Sequence, residues 1–111
     1  MRRVILESPY RAASLRERWE LDRYVRQAVR YCALEYGEAA IASHLMWPQA
    51  LDDNNPTERE LGLECGHAWL AGAERVVVFT DHGVSEGMQR GINAALKAGV
   101  VVETRDLPGR C

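Results

Sequence analysis

The sequence predicts an α/β fold, a three-layer sandwich with helices on both sides of a mostly parallel sheet of four or five strands. Short apolar runs alternate with longer helical stretches in the order strand, helix, strand, helix, strand, helix, strand. Each intervening stretch is long enough to carry a parallel crossover. The strongest run, "RVVVFT", is β-branched and uninterrupted, as a strand covered on both faces should be. A chain of 111 residues, 47% hydrophobic and 27% charged, forms one domain over 1–111 with a core of useful size.

The first strand is the apolar run Val4 to Leu6, stopped by Pro9 in "RVILESPY". Ser14 opens "SLRE", a capping box answered by Glu17, and starts a helix. Leu15, Trp19, Val25, Val29, Cys32 and Tyr36 mark its apolar period, while Arg16, Arg23, Arg26 and Arg30 form solvated faces. Gly37 ends it, and "EAAIASH" is a second strand. The polar stretch "WPQALDDNNP" reads as a loop. A second helix then starts with Asn55 as cap, Pro56 as first residue and Glu58 as the reciprocal capping carboxylate. After the strand "RVVVFT", a helix runs from about Ser85 to Ala98, and "VVVET" is the last strand.

A formal charge of −2 argues against a general nucleic-acid binder, which shows a basic surplus. No apolar stretch approaches the ~18 residues of a membrane span, and no signal peptide opens the chain. Cys32, Cys65 and Cys111 are unpaired by spacing, which suits free thiols in a reducing cytoplasm.

In parallel sheets ligands gather at the carboxyl ends of the strands. Here those ends are "SPYR", "SHLMW" and "TDHGVSEG". Ser85 is a helix cap, and with the amides around Gly87 and Met88 it offers donors to an anion such as phosphate, although an ordinary strand-to-helix turn has the same composition. Ser8, Pro9, Tyr10 and Arg11 bring a hydroxyl, an aromatic ring for stacking and a guanidinium for phosphate to the first loop, where Pro9 and Tyr10 could equally be packing residues. Asp52 and Asp53 suit ribose hydroxyls or acid–base work, or simply a solvated turn. A triad of Ser8, His44 and Asp52 has no nucleophile elbow behind it. His44, Cys65, His67 and His82 lack zinc-ligand spacing, so no metal and no cofactor are expected.

Together "SPYR", "SHL", "LDDNNPTERELGLECG", "VVVF" and "GVSEGM" resemble a family of small, mostly phage and bacterial proteins related to nucleoside 2-deoxyribosyltransferases, domains of unknown function among them. The likeness runs from about Val4 to Pro108. It implies a flavodoxin/Rossmann-like sheet, a nucleoside or nucleotide ligand held by Ser8, Pro9, Tyr10, Arg11, His44, Asp52, Asp53, Glu58, Ser85, Gly87 and Met88, and a homo-oligomer, dimeric or dimer-based, whose second subunit helps close the pocket. In the enzymes of that superfamily a glutamate early in the last helix attacks the sugar carbon. Laid on this sequence, that position is Gly91, which cannot form a glycosyl-enzyme intermediate. Glu86 lies on the same helix but points roughly 140° away from residue 91.

Binding without cleavage is therefore the expected function. In a phage setting this would be an anti-defence protein, sequestering a nucleotide immune signal in the host cytoplasm. The alternatives are an N-glycosidase or deoxyribosyltransferase using Glu86 or Asp52, and an interaction module with no ligand. Trp47 and Trp69 fit an interface as readily as a core.

Overall fold

A computed structural model describes residues 1–109. Four parallel strands lie in the order β2-β1-β3-β4: β1 is Arg2–Glu7, β2 Glu38–Ile41, β3 Arg75–Phe79 and β4 Val101–Arg105. The helices are α1 (Leu15–Tyr36), a short α2 (Trp47–Ala50), α3 (Pro56–Ala68) and α4 (Glu86–Lys97). The architecture is the expected parallel α/β sandwich of flavodoxin/Rossmann-like type, with four strands.

The two-residue period of the strands sorts the core into two layers. Val4 and Leu6 of β1, with Val77 and Phe79 of β3, face Tyr24, Val25, Ala28 and Cys32 of α1. Ile5, Val76 and Val78 face the other way, onto Leu70, Met88 and Ala95. Glu7 pairs with Val78 in the register, so it continues the row begun by Ile5 and points toward the α4 side.

Local chemistry places the helix ends. Ser14 Oγ accepts a hydrogen bond from Glu17 N–H at 3.1 Å, and Gly37 closes α1 in the left-handed region at φ 61°. Asn55 Oδ1 accepts from Thr57 and Glu58 N–H and caps α3. Ser85 Oγ accepts from Met88 N–H at 3.2 Å and caps α4.

Four expectations change. The buried stripe of α1 is Leu21, Tyr24, Val25, Ala28 and Cys32, whereas Leu15 is 90% and Trp19 58% exposed. β2 ends at Ile41, and Ser43–Leu45 form a 3-10 turn, so His44 stands on a turn and not in a strand. The polar stretch 47–56 contains α2, which packs on α3, where a Cβ at Gly62 would meet Trp47 Cβ at 3.6 Å. Glu58 accepts from Asp52 N–H at 3.0 Å and so ties the loop to α3 instead of answering Asn55. Cys32 and Cys65 are free thiols, Cys32 buried, while Cys111 lies outside the described residues. No helix among the described residues is long and apolar enough to cross a membrane.

Candidate ligand-binding site

From β1 the chain goes outward to β2, and from β3 it goes the other way to β4, so the carboxyl ends of β1 and β3 flank the switch point of the sheet. A cavity of about 160 Å³ opens there. Four stretches line it: Glu7 to Arg11, Ser43 to Leu51, Asp53 to Leu63, and Ser85 to Met88. Of the residues named from the sequence, Ser8, Tyr10, Arg11, His44, Asp53, Glu58, Ser85, Gly87 and Met88 meet around it, with Glu86 at the first position of α4. Pro9 does not line it. Asp52 borders a neighbouring shallow groove, where Tyr10, Arg11, Pro48, Leu51 and Asp53 are shared between the two hollows.

Ser8 Oγ lies 2.9 Å from His44 Nε2, and the edge of the His44 ring meets Tyr10 with centroids 5.9 Å apart. The Arg18 guanidinium lies 3.7 Å above the Tyr10 ring, donates to the Tyr10 carbonyl and pairs with Asp22 at 3.0 Å. One face of Tyr10 is thus already covered by a cation. Burial, with Arg18 adding to it, pulls the His44 pKa down to about 4. A neutral imidazole that hard to protonate is a weak general base. Asp52 does not complete a triad, since its Oδ1 accepts from Asn54 N–H in a local turn.

At the rim, Arg59 Nε lies 4.0 Å from Asp53 Oδ1, and the Arg11 side chain is exposed. Ser85 Oγ is an acceptor within the helix cap, which leaves its hydroxyl hydrogen available to a ligand. His82 is held away from the cavity, edge-on to Tyr24 at 4.5 Å, and Tyr24 donates to Asp81 at 2.6 Å. Among the described residues no group of three or more His, Cys, Asp or Glu is arranged to hold a metal ion.

Sequence reasoning did not single out Glu7, and the structure brings it to the middle of the site. Its carboxyl group borders the cavity beside Ser8 and lies against Gly91 of α4. A Cβ built on Gly91 would fall 2.6 Å from Glu7 Cδ and 2.9 Å from Oε1, closer than any real contact. The space in which the residue-91 side chain would begin is filled by the Glu7 carboxyl. Glycine at 91 thus supplies no acid of its own, and an acid from β1 stands in its place. Loss of water around Glu7 pushes its pKa up to about 8, and no described residue gives it a hydrogen bond or ion pair. The sequence did hold a signal: Glu7 ends an apolar strand in step with Ile5, a carboxylate on an otherwise apolar face. Trp47, Pro48, Leu51 and Leu63 also line the cavity without having been foreseen there.

A parallel α/β domain with its pocket at the switch point belongs to the large class whose ligands sit beyond the strand ends. Within that class the chain belongs to the family described as Domain of unknown function (DUF7768), whose model matches residues 2–105. No curated protein and no solved structure gives a significant match.

Proposed function

We propose that this protein binds a nucleoside- or nucleotide-derived small molecule in the cavity beside Glu7 and Ser8 and releases it uncut. The observation that carries this reading is convergence. Four stretches far apart in sequence close on one cavity at the switch point, and they are the stretches on which the resemblance to nucleoside 2-deoxyribosyltransferases rests. About 160 Å³ is below the ~300 Å³ at the small end of ligand sites. The cavity takes one compact ring, and the rest of the ligand lies along the adjoining groove past Tyr10 and Arg11. Arg11, which borders both hollows, and the hydroxyl of Ser85 in the cavity wall are the donors suited to phosphate.

The reading without cleavage rests on the missing nucleophile, and the raised pKa of Glu7 supports it. Gly91 offers no nucleophile. Glu7 retains its proton at neutral pH, and a carboxylic acid is a poor nucleophile. A protein of this kind acts by sequestration, which suits the anti-defence role that the resemblance to phage proteins implies. We further propose that a second copy of the chain covers the open side of the pocket. Light scattering at the monomer mass over a wide concentration range, with affinity intact, would refute that.

A second reading, an N-glycosidase, draws on one observation: an acid does stand at the position of the residue-91 side chain, supplied by Glu7. Stoichiometric protein incubated with nucleosides and deoxynucleoside monophosphates separates the two. The expected result is binding by calorimetry and intact ligand after denaturation. Free base released with turnover, and abolished by Glu7→Gln, would establish the enzyme. No binding and no turnover with any of them would overturn both readings.

A further inference from the structure

We propose that Glu7 is the residue that recognises the ligand: its carboxyl group, seated in the notch that Gly91 leaves in α4, presents one donor and one acceptor side by side to the edge of a flat, uncharged ring carrying the complementary pair, as a nucleobase edge does. The inference rests on the functional reading above and names the part of the ligand that enters the cavity.

Three features of the geometry converge on this. The carboxyl group is at the cavity wall, where a ligand can reach it. It has no hydrogen bond or ion pair from the described protein, so its bonding capacity is unused. A polar group left in that state at a cavity wall gains by pairing with a ligand. It also has room for its seat, because glycine at 91 places no side chain there to displace it. Glycine in the middle of a helix is itself unfavourable, so the notch runs against helix propensity.

The chemistry of the walls chooses the ring. Trp47, Pro48, Leu51, Leu63 and Met88 give the cavity broad apolar surfaces. A sugar carries hydroxyls around its whole edge and would bury several of them unpaired against those walls. A flat heterocycle buries its faces there and turns one edge to Glu7. A neutral carboxyl pairs with an adjacent donor and acceptor at two points, whereas a carboxylate only accepts. The charged or titratable groups that line the cavity with Glu7 are Tyr10, Arg11, His44, Asp53, Glu58, Arg59 and Glu86. Asp53 and Arg59 offset each other at 4.0 Å, and His44 is uncharged. The raised pKa of Glu7 has a single cause, desolvation by burial, and none of these charges contributes to it.

Calorimetric titration of the full chain with adenosine, guanosine, cytidine and uridine, with ribose as control, tests this between pH 6 and 9.5. The expected result is that at least one nucleoside binds, ribose does not, and affinity falls progressively once the pH exceeds about 8. Glu7→Gln keeps a donor beside an acceptor, so it retains affinity within about threefold and flattens the pH profile. Glu7→Ala loses about ten- to a hundredfold, the effect of two hydrogen bonds. Gly91→Ala, which pushes the carboxyl group off its seat, loses a comparable amount while circular dichroism shows the helices intact. If Glu7→Ala does not fold, the pH profiles of wild type and Glu7→Gln still decide. Nucleoside binding that is indifferent to pH and to both Glu7 variants would overturn the role of Glu7 and leave the functional reading standing. Ribose binding as tightly as the nucleosides would overturn the choice of ring. Absence of binding by every nucleoside and by their monophosphates would instead overturn the functional reading.

Discussion

Two glutamates at opposite ends of the sheet show how the same side chain serves two purposes. Glu38 opens the edge strand β2 and is buried on the α1 face. Both its oxygens are taken by Arg105 of β4, at 2.6 and 2.9 Å, and Arg2 lies 3.5 Å away. Arg105 also bonds Glu103 and stacks on the Tyr36 ring at 3.5 Å. Glu7 closes the central strand β1 on the other face and has none of this. The hydrogen bonds from Arg105 hold the Glu38 carboxyl below its ordinary pKa, and desolvation raises that of Glu7. A partnered acid ties strands together, whereas an unpartnered one at a cavity wall is available to something else.

The largest effect comes from breaking the partnered side. Arg105→Ala should cost about 3–5 kcal/mol of stability, because Glu38 would be left buried and uncompensated. Urea unfolding at pH 7 measures it. A loss under 1 kcal/mol would mean that the cluster is solvated and that the contrast with Glu7 is not one of partnering.

Glu7→Gln sharpens the comparison by acting with the opposite sign. The folded-state pKa of Glu7 lies above its unfolded value, so the folded protein binds the extra proton and its stability falls as pH rises from about 4.5 through 8. The Gln variant does not titrate there. Relative to wild type its stability should gain about 4 kcal/mol as the pH rises from 5 to 8.5, with less than about 1 kcal/mol already present at pH 5. Glu38 and His44 behave the other way. Their folded pKa values are depressed, so their contributions are complete above the unfolded values and are lost as pH falls, for His44 between about 6.5 and 4. Unfolding midpoints across pH 4–9 should therefore pass through a maximum that shifts upward in Glu7→Gln. A parallel pair of profiles would show that Glu7 is ionised in the folded state.

Ser8→Ala is a smaller perturbation at the seam between the two faces. It removes the hydroxyl 2.9 Å from His44 Nε2 and should cost about 0.5–1.5 kcal/mol by denaturant titration, with the fold unchanged.

The strand pattern, the helix caps at Ser14, Asn55 and Ser85, and the convergence of the three loops were legible in the sequence because they are local. Periodicity and short-range hydrogen bonds set them. The apolar stripe of α1 was misplaced for a geometric reason. A helix of 22 residues is about 33 Å long, while a six-residue strand spans about 20 Å, so the first turns overhang the sheet and leave Leu15 and Trp19 without a partner. The Glu38–Arg105 pair joins residues 67 apart, and no spacing announces it. Glu7 was half legible. Its place in the strand period could be read, but the glycine that accommodates it lies on another element, and only the packing of α4 on β1 connects them.

The smallest effect expected on stability belongs to Gly91→Ala, and that smallness is what makes it informative. Replacing glycine by alanine in a helix interior is favourable by about 0.5–1 kcal/mol. Against this, the new methyl group must displace the Glu7 carboxyl, the far end of a flexible side chain with no bonds to protein that would have to break. The displaced carboxyl moves toward the cavity and its water, which removes part of the cost of burying it. The two contributions nearly cancel, and the net change by thermal or urea unfolding should stay within about 1 kcal/mol of zero. The Glu7 pKa should meanwhile drop from about 8 toward the ordinary carboxylate range, as carbon-detected NMR of labelled glutamate would show. A loss of several kcal/mol in Gly91→Ala would mean that the α4 backbone, and not the Glu7 side chain, had to move. The notch would then be a packing contact between helix and strand instead of a seat for the acid.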